Sequence, residues 1–138
     1  MAVNVAGAGA SLVLAGLAVV HVYWAFGGRK GRAAAVPEVG DRALFSPSKA
    51  ATLVVALLLA ASAVILIGGI REWAPPLFFE IGCAGIAVVL LARSIGDRRY
   101  VGLLKRVRDT DFARRDTWLY SPLCLALAIA TAAVALSR

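Results

Sequence analysis

This 138-residue chain has little histidine, methionine, cysteine or acid: one His, one Met, two Cys and eight Asp+Glu. A lone His21 and a lone Met1 are too few for haem, copper or zinc centres built on His/Met clusters, so neither a metal nor a cofactor is expected. Cys83 and Cys124 offer at most one disulfide, and they fall at different depths of the apolar segments described below. Charge is also sparse. Only 17% of residues are charged, 61% are hydrophobic, and the mean hydropathy is +0.82. Soluble domains average about 25% charged and about 45–50% apolar residues, and disordered chains shift the opposite way. The imbalance of 15 Lys+Arg over eight acids, a net +7, would suggest nucleic acid in a soluble protein. In a chain this apolar it suggests loops against an anionic membrane surface, with lipids as partners and no nucleic acid.

Four apolar runs are present, each of the order of the 20 residues that a spanning helix needs. They predict an all-α, four-helix transmembrane bundle forming one integral membrane domain over 1–138, with spans near 5–26, 50–70, 74–93 and 118–137. Basic residues follow the first run (Arg29, Lys30, Arg32), the reverse of a cleaved signal peptide. Trp73 and Pro75-Pro76 mark a tight turn between runs two and three, and Pro122 is placed in the first turn of the fourth. Small residues recur at spacing four (Gly7/Ser11/Ala15, Ala56/Ala60, Ala126/Ala130), a pattern that permits close helix approach in lipid.

Thirteen of the fifteen Lys and Arg fall in two connections, five in 27–49 (loop one) and eight in 93–117 (loop three). The positive-inside rule then places both loops in the cytoplasm and both termini outside, in a multi-pass protein of the inner (plasma) membrane.

The loop 93–117 is the least ordinary segment. Tyr100, Leu103, Leu104 and Val107 recur at i, i+3, i+4 and i+7, with Arg98, Lys105, Arg106 and Asp109 opposite. That stripe predicts a short amphipathic interfacial helix between spans three and four. The acids Asp97, Asp109, Asp111 and Asp116 alternate with the bases, so ion pairs within a topology-setting loop are one reading. A surface for an anionic headgroup or phosphate, with arginines as bidentate donors, is the other.

Two ionisable residues fall inside the apolar runs, where such groups are costly. A third helix long enough to cross about 30 Å must recruit residues from about Ala74, which places Glu80 roughly 9 Å deep. His21 lies about 8 Å from the opposite end of span one. Each has an ordinary reading, an interfacial acid near a helix N-terminus and a packed imidazole, and a catalytic one as acid or base. Their depths differ too much for direct contact. Arg93, Tyr120 and Ser121 match the depth of His21 better and join the candidate binding residues Asp97, Arg98, Lys105, Arg106 and Asp116.

The stretch His21-Val-Tyr-Trp-Ala-Phe-Gly-Gly28, the Pro37 region and the block from Arg93 to Leu125 carry a resemblance. Within that block, Ile95-Gly96-Asp97, Gly102 with Lys105, Phe112-Ala113, Asp116-Thr117 and Tyr120-Ser121-Pro122-Leu123-Cys124 match. Together they resemble a domain-of-unknown-function family of small four-span bacterial membrane proteins. The family pattern has aromatics after Asp97 and between Gly102 and Lys105, where this chain has Arg98 and Leu103-Leu104. The resemblance implies fold and membrane location and brings no activity.

Three functions remain open from sequence. One is binding of an anionic lipid or amphiphile headgroup at the cytoplasmic face. Another is a membrane-embedded acid–base enzyme (isomerase, cyclase or hydrolase) acting on an isoprenoid or lipid through Glu80 and His21. The third is a small transporter, which four helices could form only as a homo-oligomer.

Overall fold

A computed structural model describes residues 1–73 and 75–137. Its long helices are α1 (Ala2–Ala25), α2 (Lys49–Arg71) and α3 (Pro76–Ile95), followed by a fourth segment in three parts. Those parts are α4 (Asp111–Arg115), a π-helical turn over Asp116–Tyr120, and α5 (Ser121–Leu136). All four long segments are apolar enough to cross a membrane. At 1.5 Å per residue, the 20 residues of α3, the shortest, span about 30 Å, the thickness of a bilayer core. The chain is built as a multi-pass membrane protein. Ala74, the expected start of the third span, lies outside the described residues.

Local chemistry sets the helix ends. The α1 helix closes on Gly27 at φ +97, and Gly28 N–H donates to Tyr23 O at 2.9 Å, satisfying a terminal carbonyl. Ser48 caps α2 by accepting from Ala51 N–H at 3.0 Å, and Pro76 starts α3 where a missing N–H costs nothing. Between α1 and α2 lie a 3₁₀ turn (Ala33–Ala35) and a two-residue hairpin, β1 (Glu38–Val39) and β2 (Arg42–Ala43), with Glu38 opposite Ala43.

The bundle associates as two pairs, α1 with α2 and α3 with α5, joined through α2–α3 and α1–α5. Its core is thin: Ala10, Leu14, Ala63, Leu66, Cys83, Leu127 and Val134. Large apolar side chains such as Leu12, Val19, Leu57, Val89 and Ile129 point outward instead. In water this surface would be an aggregation hazard, whereas hydrocarbon solvates it. Of the small-residue stripes, Gly7/Ser11/Ala15 is a packing face: a Cβ on Gly7 would lie 2.7 Å from Val134 and 2.8 Å from Ile70, and Ser11 donates to Ala63 O at 2.8 Å. Ala126 is exposed, so the α5 stripe is not one.

Two expectations need correction. The amphipathic helix expected over Tyr100–Val107 is absent, because residues 96–110 form an irregular loop. The fourth helical segment also starts at Asp111, seven residues before the expected 118, so Pro122 lies well inside it. The π turn resolves the conflict. Proline has no N–H and its ring crowds the carbonyl four residues back. One extra residue in the turn before it lets Ser121 N–H bond to Asp116 O instead of Thr117 O.

Candidate functional site

Loop 96–110 fails to become a helix because of three residues. Gly96 and Gly102 both have positive φ (+83 and +92) where the chain crosses over itself. A Cβ on Gly96 would sit 1.7 Å from Val101 O, and one on Gly102 2.2 Å from Ile95 O, so only glycine fits either place. Asp97 then winds the turn. Its Oδ1 accepts N–H groups from Arg99 (2.9 Å), Tyr100 (2.8 Å) and Val101 (3.0 Å). Partial desolvation pushes the Asp97 carboxyl up, but the N–H donors of Val101, Arg99 and Tyr100 together outweigh it and hold it below the ordinary aspartate value. The returning chain caps α3, with Leu103 N–H donating to Ser94 O at 2.8 Å.

The loop is fastened to the fourth segment through Asp116, which is fully buried. Arg93 Nη2 (3.0 Å) and Ser121 Oγ (3.1 Å) donate to Oδ1, while Gly102 N–H (2.7 Å) and Lys105 Nζ (3.1 Å) donate to Oδ2. Four donors saturate the carboxylate. Lys105, only 2% exposed, spends its remaining protons on Gly102 O (3.0 Å) and Thr117 Oγ1 (2.6 Å). Four of the expected binding residues, Arg93, Lys105, Asp116 and Ser121, therefore meet in one network, where they mainly bind each other. Within it Arg93 Nη1 is buried without a hydrogen-bond partner among the described residues. Tyr120 is drawn elsewhere: its hydroxyl donates to Ala34 O at 2.9 Å, and its ring packs 6.0 Å from that of Phe112, tying loop one to the fourth helical segment.

What this scaffold holds outward is a cleft of about 500 Å³ lined by Asp97, Arg98, Arg99, Arg106 and Val107. Among the described residues, the guanidinium groups of Arg98 and Arg106 have no hydrogen-bond or ion-pair partner, and that of Arg99 lies 5.1 Å over the Tyr100 ring. Three cations face one carboxylate whose Oδ1 is spent on backbone. The neighbouring Arg108 is instead satisfied by Lys105 O and Leu103 O, and Arg114 by Asp111. Arg98 holds its place at φ +65, a left-handed conformation that costs a non-glycine residue about 1–2 kcal/mol. The expected residues Asp97, Arg98 and Arg106 thus share one cleft, with Arg99 added. Charge alone does not distinguish Arg99 from Arg108. The turn around Asp97 sets Arg99 on the cleft, whereas Arg108 reaches back to the carbonyls of Lys105 and Leu103.

His21 lies apart from both clusters. Its Nδ1 is 2.7 Å from Leu17 O and its ring stands edge-on to Trp24 at 5.0 Å. It lines a chamber of about 310 Å³ under loop one with Trp24, Arg32, Val36, Phe45 and Thr52, among others. The chamber wall includes neither Arg93 nor Tyr120. Glu80 is half-buried in the second turn of α3, at the other end of the bundle from His21, and makes no hydrogen bond or ion pair among the described residues. Sequence reasoning missed Arg32. Its distance in sequence from His21 hides that the 3₁₀ turn folds it back over α1.

A family model described as a protein of unknown function (DUF3995) matches residues 14–131, which include both basic connections and all of the site residues above. No curated protein and no solved structure matches the chain. The chain belongs to the DUF3995 family.

Proposed function

We propose that this DUF3995 protein binds an anionic lipid or amphiphile headgroup in the Arg98–Arg99–Arg106 cleft, on the cytoplasmic side of the plasma membrane. The observation that carries the reading is the cleft itself: three arginines around about 500 Å³, two of them without a partner among the described residues, on a loop tied down by Asp97 and Asp116. Arginine forks match phosphate oxygens bidentately, and a braced backbone leaves only the arginine side chains, not the loop, to be ordered at binding. The orientation rests on thirteen of fifteen basic residues lying in the two connections at this end. Retention of acidic phospholipid by native mass spectrometry tests the reading, comparing wild type with Arg98→Ala/Arg99→Ala/Arg106→Ala. At about 1 kcal/mol for each base near an anionic surface, neutralising three lowers affinity about 100-fold. Equal retention by both proteins would overturn it. Neither the acid–base enzyme nor the transporter has an observation favouring it over this reading, since Glu80 and His21 stand at opposite ends of helices running the same way.

A further inference from the structure

The chamber beneath loop one shares no lining residue with the loop-three cleft, and its chemistry differs. A backbone carbonyl can only accept, so the 2.7 Å contact with Leu17 O places a proton on His21 Nδ1. In the neutral ring Nε2 is then an acceptor, and it has no partner among the described residues. Arg32 contributes the charge. Its Nη2 donates to Pro47 O at 2.9 Å, which leaves Nε and Nη1 unassigned. Among the described residues no acid lines the chamber and Arg32 makes no ion pair, so a half-buried cation faces an apolar wall of Val36, Phe45 and Val55 without a counter-charge from them. Such a charge calls for an anion. The rim is fixed by three ties: Trp24 Nε1 to Lys30 O (2.8 Å), Arg32 to Pro47 O, and Tyr120 to Ala34 O.

We infer that the His21–Arg32 chamber is a second binding site, for a phosphate monoester carried on a short apolar chain. The phosphate suits both polar groups at once: an anionic oxygen accepts from Arg32, and the remaining proton lies between another oxygen and His21 Nε2. The volume, roughly that of ten waters, holds the phosphate and the first carbons of the chain against Val36, Phe45 and Val55. The rest of a longer chain would leave toward the lipid.

Calorimetric titration of the full chain in a neutral detergent at pH 7 tests this, where an unperturbed imidazole is mainly neutral and a phosphomonoester still retains its O–H about a tenth of the time. Using the Arg98→Ala/Arg99→Ala/Arg106→Ala protein removes the loop-three cleft, so the outcome does not depend on the function proposed above. The probes are octyl phosphate, octyl sulfate and inorganic phosphate. Octyl phosphate is expected to bind about tenfold more tightly than octyl sulfate, which has the charge without the O–H. Arg32→Met is expected to abolish binding of both, and Arg32→Lys to retain part of it. His21→Phe keeps the ring against Trp24, so it should erase the preference for phosphate over sulfate while sulfate binding stays unchanged, an outcome that mere misfolding would not produce. Wild-type-like titrations of Arg32→Met and His21→Phe, or no binding of octyl phosphate, would overturn the inference. Inorganic phosphate binding as tightly as octyl phosphate would overturn the amphiphile in favour of a soluble phosphate.

Discussion

Replacing Asp116 by Asn is the sharpest perturbation of this architecture. The substitution keeps the shape, removes the charge, and turns one acceptor oxygen into a donor. Asp116 receives four donors and is fully buried, as is the side chain of Lys105. An amide at this position accepts at most at its one oxygen and points N–H at two of the remaining donors. Removing one partner of a buried ion pair costs about 3–5 kcal/mol because the other charge is left uncompensated. For a chain of this size that corresponds to a fall in Tm of about 10–15 °C. The damage is expected to be local first. Lys105, Gly102 and Arg93 all lose their anchor, so loop 96–110 should detach from the fourth helical segment before the bundle opens. Limited trypsin digestion in mild detergent reads this directly, since Lys105 is 2% exposed in the intact loop. Rapid cleavage after Lys105 is expected in Asp116→Asn and slow cleavage in wild type. Adding Lys105→Met to Asp116→Asn removes the stranded cation and should recover part of the lost stability. A Tm within about 2 °C of wild type together with an unchanged digestion pattern would refute the reasoning. It would mean that Arg93 and Lys105 find other partners at little cost.

Gly96→Ala and Gly102→Ala should each mimic that loss, because their Cβ atoms would meet backbone at 1.7 and 2.2 Å; Gly85→Ala, with open space around it, should leave the thermal melt unchanged or slightly raised. Arg98→Gly should raise the Tm by relieving the left-handed backbone, by about 1 kcal/mol, while lowering retention of acidic lipid. Opposite signs in the two assays separate the backbone of this residue from its charge. Acid should loosen the same loop through Asp97, whose folded carboxyl titrates below its unfolded value. Its contribution is complete above the ordinary aspartate value near 3.9 and is lost as pH falls through the lower folded value. Amide exchange at Arg99, Tyr100 and Val101, compared with Asp97→Asn, should accelerate only in that window.

The apolar runs alone determined the four long helices, because a bilayer leaves a spanning backbone no partner except itself and each run is long enough to cross. Loop 96–110 shows where that certainty stops. Tyr100, Leu103, Leu104 and Val107 have helical spacing, yet local backbone chemistry overrides it: two glycines at positive φ and an aspartate that collects three N–H groups bend the chain into a crossing. The residue types for that crossing are visible in sequence, but their roles depend on which backbone atoms approach them. The candidate binding residues divide for the same reason. Charge and position put Arg93, Lys105, Arg98 and Arg106 in one class, and only folding sends the first two into the carboxylate of Asp116 and leaves the others facing a cleft. That His21 and Arg32 line one chamber is likewise a product of the turn that carries loop one back over α1. Hydropathy acts over a whole segment and survives averaging. A buried ion pair or an unpartnered guanidinium depends on displacements of an ångström or two, which tertiary packing alone sets.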